Sequence, residues 1–396
     1  AGAIYFQLAD LLLQRADSAA SAADLDKMLL EARDSTELLK SAELEDYFQD
    51  ECVNLLKSKI TKVETVSETA AIVYIIPLPD RTEMLVNLPS GLHRLKSPTT
   101  DAELYHVAHE FRVNLEKRTT YEYLEQAKQL YDWLIKPLEP LLANTKIDTL
   151  VFIPDGALRN IPMGALYDGQ KYLIEKYAVA VTPSLTLMEP RPFVRKNLQL
   201  VANGLTDGVQ GFPPLGYVRQ ELNSLKKLFG GTELINKQFV KANVEKEFAQ
   251  ENYSIVHIAS HGHFDSDAKK TFVLTFDGKL TLDELEQLLR PSQLRDKPVE
   301  LLTLSACQTA AGDDRAALGL AGVAIKAGAR SAFATLWFVN DESSAMVVFD
   351  FYTALRDHPD MSKAKALRSA QIKLLADQRY AHPCYWSPYL IIGNWL

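Results

Sequence analysis

From about residue 147 onward, apolar runs of strand length alternate with helical patterns, and this alternation constrains the fold more than any other feature. The runs are Thr149 to Ile153, Leu198 to Ala202, Ser254 to Ala259, Val299 to Leu304, Ser331 to Leu336 and Pro388 to Ile392. Between them lie a helix of Val218 to Phe229, a helix starting near Thr281 with Leu282 and Leu285 inward, and the small-residue helix Gly319 to Lys326. Met346 to Leu355 and Leu367 to Leu375 are amphipathic helices of the same kind. Strands apolar on both faces need helices above and below them, and parallel strands need a helix to cross back. The fold class is therefore α/β, a mostly parallel sheet sandwiched by helices. Ligands of such sheets sit beyond the carboxyl ends of the strands. Those ends carry Pro154-Asp155-Gly156, Asn203-Gly204 with a Gly/Pro loop to Gly216, Ser260-His261-Gly262-His263 and Ser305-Ala306-Cys307.

The texture before residue 147 differs. Ile4, Leu8, Leu11 and Leu12 form a helical stripe, and Leu25, Met28, Leu29 and Ala32 repeat it after a Ser/Ala-rich joint at Asp17 to Ala23. Such a pair reads as the end of a helical-repeat array over residues 1–62, with a period too degenerate to name the repeat from pattern alone. Ala71 to Ile76, Met84 to Leu88 and Leu92 to Leu95, with Pro89-Ser90-Gly91 as a turn, predict a β-meander. Helices return over about 101–143, with Thr119 and Glu122 spaced as a capping box. At roughly 150 residues per domain, the 396 residues make two to three units, and the changes of texture are read as 1–62, 63–195 with the meander, and 196–396.

Charge and cysteine content narrow the function. A formal charge of −8, from 43 basic and 51 acidic residues, disfavours nucleic acid as a partner, because phosphate contacts need clustered Lys and Arg. Three cysteines, Cys52, Cys307 and Cys384, are too few for a disulfide scaffold and fit a reducing, cytoplasmic setting. The longest apolar candidate, Leu318 to Val339, is interrupted by Lys326 and Arg330, so no membrane partner is expected. The opening Ala1-Gly-Ala-Ile-Tyr lacks a starting Met and a basic segment, which reads as a cut or processed chain with any upstream targeting segment left open.

Two strand ends carry chemistry. Cys307 follows a small residue at a sheet rim, where a thiolate serves as a nucleophile if a base or positive field stands nearby; a lone Cys more often packs as a small hydrophobe. His261 closes another strand and is followed by Gly262, which allows close backbone approach and an N–H aimed at a developing oxyanion. His257, His261 and His263 share parity. His257 falls inside the strand, His263 lies past its end, and the adjacent glycine favours His261 as the base. Asp265 and Asp267 read as solvated loop charges, and Cys384 as a cysteine near the surface. Neither a metal-ligand spacing nor a G-x-G-x-x-G is present, so no cofactor is expected.

These residues match a family pattern. Val256-His257-Ile258-Ala259-Ser260-His261-Gly262-His263-Phe264 resembles the histidine motif of CHAT domains, and Leu304-Ser305-Ala306-Cys307-Gln308-Thr309 resembles the cysteine motif. Phe152 to Arg159, Gly319-Leu320-Ala321, Gly328-Ala329-Arg330-Ser331, Leu336-Trp337 followed by Asp341, and Tyr385-Trp386-Ser387-Pro388-Tyr389 resemble further family segments, over roughly 100–396. The resemblance implies a caspase-like fold, in a clan of cysteine peptidases that includes caspases, gingipains, legumain and separase. It implies His261 as base, Cys307 as nucleophile, and the amides of Gly262 and Cys307 as oxyanion donors. Trp337 to Asp341 is similar to a separase segment whose aspartate receives arginine, which implies Asp341 as a substrate-binding residue selecting Arg or Lys. Asp341 also suits the start of a helix at Glu342 to Arg356, and both readings stay open. Asp155 is a second substrate-binding candidate, beside its reading as an Asp-Gly turn. The expected function is a cysteine endopeptidase acting on a protein or peptide, with a regulatory protein docking on the helical N-terminal region. The alternative is an idle CHAT signalling or scaffold module, and a nucleotide-binding α/β domain is a third.

Overall fold

The computed structural model describes residues 2–49, 67–187, 190–193, 195, 198–294, 298–309 and 313–396, with the side chains of residues 2–3, 290–294 and 306–309 outside that description. Cys52 and the joint between the helical region and the first strand therefore lie outside the described residues.

One sheet of thirteen strands, counted among the described residues, runs through the protein. Its strands are β1 (Ala70–Pro77), β2 (Thr82–Leu88), β3 (Gly91–Ser97), β4 (Thr149–Ile153), β5 (Ala178–Val181), β6 (Leu200–Gly204), β7 (Thr232–Ile235), β8 (Ile255–Phe264), β9 (Phe272–Leu274), β10 (Lys279–Thr281), β11 (Leu301–Thr309), β12 (Ser331–Thr335) and β13 (Tyr389–Gly393). The order is β10-β9-β8-β11-β12-β13-β5-β4-β1-β2-β3, with β6 beside β8 and β7 beside β6. Seven pairings are parallel and five antiparallel. The meander β1-β2-β3 extends one end of the parallel centre, and β13 links β12 to β5 by lying antiparallel to the first and parallel to the second. Residues of β4, β5, β12 and β13 are buried throughout, as a sheet covered on both faces requires.

The helices are α1 (Gly2–Ala16), α2 (Ala22–Phe48), α3 (Asp101–Leu115), α4 (Tyr123–Leu134), α5 (Val218–Phe229), α6 (Lys241–Gln250), α7 (Leu282–Leu294), α8 (Asp314–Lys326), α9 (Asp341–Asp357) and α10 (Lys363–Ala376), with shorter turns between them. Among the described residues, none is long and apolar enough to cross a membrane.

Three local expectations need correction. The Ile4, Leu8, Leu11 stripe of α1 faces outward, with Ile4 69% and Leu11 61% exposed, while Ala9, Leu13 and Ala16 are buried. The buried face follows the small residues, because α2 packs close along them. The pair Thr119 and Glu122 does not cap a helix: α4 starts after Glu122 with no side-chain cap, and Glu122 instead takes the Lys117 ammonium at 2.8 Å. A capping box does form one helix earlier, at Thr100 and Glu103 of α3. Finally, β8 and β11 run several residues past their expected ends, because the short β9 folds back on β8 and pairs with Gly262 and His263.

The N-terminal helices are joined to the first half by buried charge. The Glu37 carboxylate accepts the Tyr74 hydroxyl at 2.7 Å and the Leu185 amide at 3.1 Å. A buried carboxylate persists only when its lone pairs are filled this way.

Candidate active site

The site grows from the ladder between β8 and β11. These neighbours run parallel, from Leu301 beside Ile255 to Ser305 beside Ala259; after that the register shifts, and Cys307 stands beside Gly262. Across this interval β8 takes one residue more than β11, a bulge at Ser260-His261. A bulge breaks the alternation of the pleat and re-aims the side chain it carries, so the shared parity of His257, His261 and His263 does not pass through it. Adjacent strands lie about 4.8 Å apart, which sets the backbones of Cys307 and the His261-Gly262 pair side by side at the rim. The Cys307 side chain is outside the described residues.

The three histidines separate by environment. His257 is fully buried; its Nε2 meets the Glu221 carboxylate at 2.7 Å and its Nδ1 faces the Tyr352 hydroxyl at 3.4 Å. It anchors α5 and α9 beneath the rim. His263 pairs with Asp265 at 3.4 Å and faces the Phe272 ring. His261 is half-buried. Its Nε2 stands 2.8 Å from the Pro213 carbonyl, an acceptor only, so this nitrogen carries the proton and Nδ1 is left to exchange one. The Phe212 ring lies 5.1 Å from the imidazole centroid.

Pro213 belongs to the loop that follows β6. Gly204 closes that strand where a Cβ would stand 2.7 Å from Val218 and 3.1 Å from the Ala259 carbonyl, so glycine is needed for β6, β8 and α5 to meet. The loop is held by the Leu205 amide on Ala259 O and by the Thr206 amide on Asn236 Oδ1, at 3.1 and 2.8 Å. The orienting carbonyl left no mark in the sequence: it is a backbone group that any residue type could supply.

A pocket opens between the ends of β11 and β12, lined by Val218, Ser305, Thr335, Phe338 and Val339, with Asp341 among them. The cap of α9 is Asn340, whose side chain accepts the Ser343 amide at 3.1 Å. Asp341 is thus released from the capping role, and its Oδ2 accepts the Tyr217 amide at 2.7 Å. Burial raises its pKa, and the Tyr217 and Gly216 amides offset only part of that rise. His261 is close enough for its charge to act on Asp341, so the imidazole and the pocket carboxylate share one neighbourhood.

Asp155 is elsewhere, at the end of β4, five strands from β8 in the sheet order. Its oxygens are taken by Lys40 at 2.9 Å and Arg159 at 2.7 Å. Burial works against its ionisation, but Lys40 and Arg159 outweigh it and hold the carboxyl at about 2. Cys384 is buried rather than near the surface, and burial pushes its thiol up to about 12. Asp267 caps a short turn through the Lys269 amide. Among the described residues no group of three His, Cys, Asp or Glu side chains is placed to hold a metal ion.

The pocket segment is also fixed from the other half of the sheet. Arg112 of α3, 2% exposed, donates to the carbonyls of Leu336 at 2.9 Å and Asn160 at 3.2 Å, pairs with Glu116, and stacks 4.1 Å over the Trp337 ring. Trp337 Nε1 donates to the Cys384 carbonyl at 3.1 Å.

Comparison with solved structures gives the Saccharomyces cerevisiae separase–securin complex, at 9% identity and a TM-score of 0.50, covering 97% of this chain and 33% of that one. The chain thus spans about a third of the separase it resembles. At that identity the likeness concerns the fold alone, a caspase-like α/β sandwich. The Arg-specific cysteine proteinase gingipain R follows at 11% identity, 73% and 74% coverage and a TM-score of 0.45. No curated protein matches the chain by sequence. The profile of the CHAT domain matches residues 124–394, more than two thirds of the chain, and the protein belongs to the CHAT domain family.

Proposed function

We propose that this chain is a caspase-like cysteine endopeptidase that cleaves after basic residues. The observation that carries this reading is the β8–β11 register, which sets Cys307 beside Gly262 with His261 in the bulge. In the proposed reaction the Cys307 thiol passes its proton to Nδ1 of His261, and the thiolate so formed adds to the substrate carbonyl. The oxygen charge is taken by the amides of Gly262 and Cys307, where a single donor is worth roughly 10²–10³ in kcat. His261, its Nε2–H held by Pro213, delivers a proton from Nδ1 to the leaving amine. It then takes a proton from the water that cleaves the thioester.

Asp341 supports the basic preference, as a carboxylate in a pocket between the ends of β11 and β12. A hydrogen bond to a charged group adds about 1.5–3 kcal/mol, enough to favour Arg or Lys over neutral residues by roughly ten- to a hundredfold. Asp155 has no part in this reading, since both its oxygens are engaged. The separase structure is a complex with securin; the outward apolar stripe of α1 is read here as the place where a regulatory protein docks.

A peptide-library digest with the wild type and Cys307→Ala tests the proposal. Cuts after Arg or Lys that vanish in the variant support it. Cuts that persist in the variant, or no cuts at all, return the chain to the idle scaffold reading. Cuts after acidic or apolar residues discard the Asp341 pocket.

A further inference from the structure

Helix α2 ends on Leu44, Tyr47 and Phe48, one face of its last turns, and lays them across α8, the helix that follows the Cys307 strand. Two glycines of α8 make the room. A Cβ on Gly319 would stand 2.2 Å from the Tyr47 hydroxyl oxygen, and one on Gly322 would stand 2.7 Å from Leu44 and Phe48. Glycine is disfavoured inside a helix, so the notch explains two residues that helix propensity does not.

Tyr47, 2% exposed, does more than fill the notch. Its hydroxyl donates to the Asp265 carbonyl at 2.7 Å and lies 3.2 Å from Thr271 Oγ1. Thr271 Oγ1 accepts the Asp265 amide at 3.1 Å. Tyr47 and Thr271 thereby hold both backbone groups of Asp265 in a closed ring. Asp265 directly follows β8, the strand that carries His261 and Gly262, and accepts from His263. Arg315, in the first turn of α8, makes a parallel link: it pairs with Asp46 of α2 at 2.9 Å and donates to the Ser266 carbonyl at 3.0 Å. One helical element thus grips both the segment that ends the histidine strand and the helix that follows the cysteine strand.

We infer that Tyr47 is a positioning residue for the peptidase site, its hydroxyl fixing the Asp265 peptide and through it the height of His261-Gly262 against Cys307. The inference rests on the peptidase reading. Apolar packing in the notch needs only the ring; the hydroxyl is aimed at the loop. Drawing α2 off α8 therefore disarms the site.

Tyr47→Phe keeps the ring and removes the hydroxyl, and Gly319→Ala drives the ring out. For Tyr47→Phe, amide exchange over residues 262–272 rises about tenfold and kcat on a basic peptide falls by a similar factor, the effect of one lost hydrogen bond to a buried carbonyl. KM stays near the wild-type value and Cys307 alkylation slows, while the thermal midpoint shifts only slightly. Gly319→Ala, where it folds, gives a larger loss of the same kind. Wild-type exchange and kcat in Tyr47→Phe, or a loss confined to KM, would overturn the inference. If the wild type cuts no peptide, the peptidase reading fails on its own; loop exchange and Cys307 alkylation then still decide for or against Tyr47.

Discussion

The Nε2–H of His261 donates a hydrogen bond to the carbonyl of Pro213 across 2.8 Å. The same loop, a few residues on, presents the Tyr217 amide to Asp341. Orientation of the imidazole and of the pocket carboxylate is therefore supplied by one backbone segment.

The imidazole should matter to the sulfur before any substrate is bound. His261→Ala is expected to lower kcat/KM by roughly 10²–10⁴. Timed alkylation with iodoacetamide should label Cys307 far faster than Cys384, whose thiol is held at about 12 by burial. The advantage should vanish in His261→Ala. Equal labelling in wild type and variant would mean that the two groups do not interact.

Asp341→Asn should cost basic peptides roughly ten- to a hundredfold in kcat/KM and leave neutral peptides little changed. The pH dependence has a definite sign. Burial raises the carboxyl above its ordinary 3.8, so binding of a basic residue is complete above that raised value and is lost as pH falls through it. Profiles of kcat/KM on arginyl peptides should show this acid limb in the wild type. An identical limb in Asp341→Asn would assign it to another group.

Asp155 should report on stability rather than on turnover. Its carboxyl is held at about 2 against an ordinary 3.8, with Lys40 and Arg159 as partners. A lowered folded pKa contributes stability that is complete above 3.8 and is lost as pH falls toward 2; here that contribution is roughly 2 kcal/mol. Urea titrations of Asp155→Asn should show at least that deficit at pH 7, because Lys40 is left buried against Glu43. The gap to the wild type should narrow below pH 4. A constant gap would remove the ion pair as its cause.

Arg112 joins α3 to the segment that leads into the pocket. Burial lowers its pKa to about 10. Arg112→Ala strips donors from two buried carbonyls and the stacking partner from Trp337, and should destabilise by about 2–4 kcal/mol in thermal or chemical unfolding. Arg112→Lys should recover little, since one ammonium cannot reproduce a planar fork that serves both carbonyls and lies over a ring. Full recovery by lysine would leave charge alone as the contribution.

Much of the architecture was legible because periodicity is local. Runs such as Thr149 to Ile153 and Val299 to Leu304 are apolar on both faces, which only a doubly covered sheet accepts. The family segments then tied those runs to one fold. Local signals failed where a distant partner decided the outcome. In α1 the larger apolar stripe faces outward, because α2 chose the small residues. At α4 the capping pattern at Thr119 lost to an ion pair between Lys117 and Glu122. Beyond Ala259, β8 continued because β9 came back to pair with it.

By itself the sequence determined the α/β class, most of the central strands and the helices between them, and the presence of His261 and Cys307 late in two of those strands; β5, β7, β9, β10 and α6 were not legible in it. Side-chain type and spacing act over a few residues, and a chain records them directly. Only the tertiary structure decided that Cys307 stands beside Gly262, that a bulge re-aims His261, and that Pro213 and Tyr217 serve it and Asp341 with backbone groups. Backbone donors and acceptors are common to nearly every residue; which of them meet is set by the packing of elements far apart in the chain.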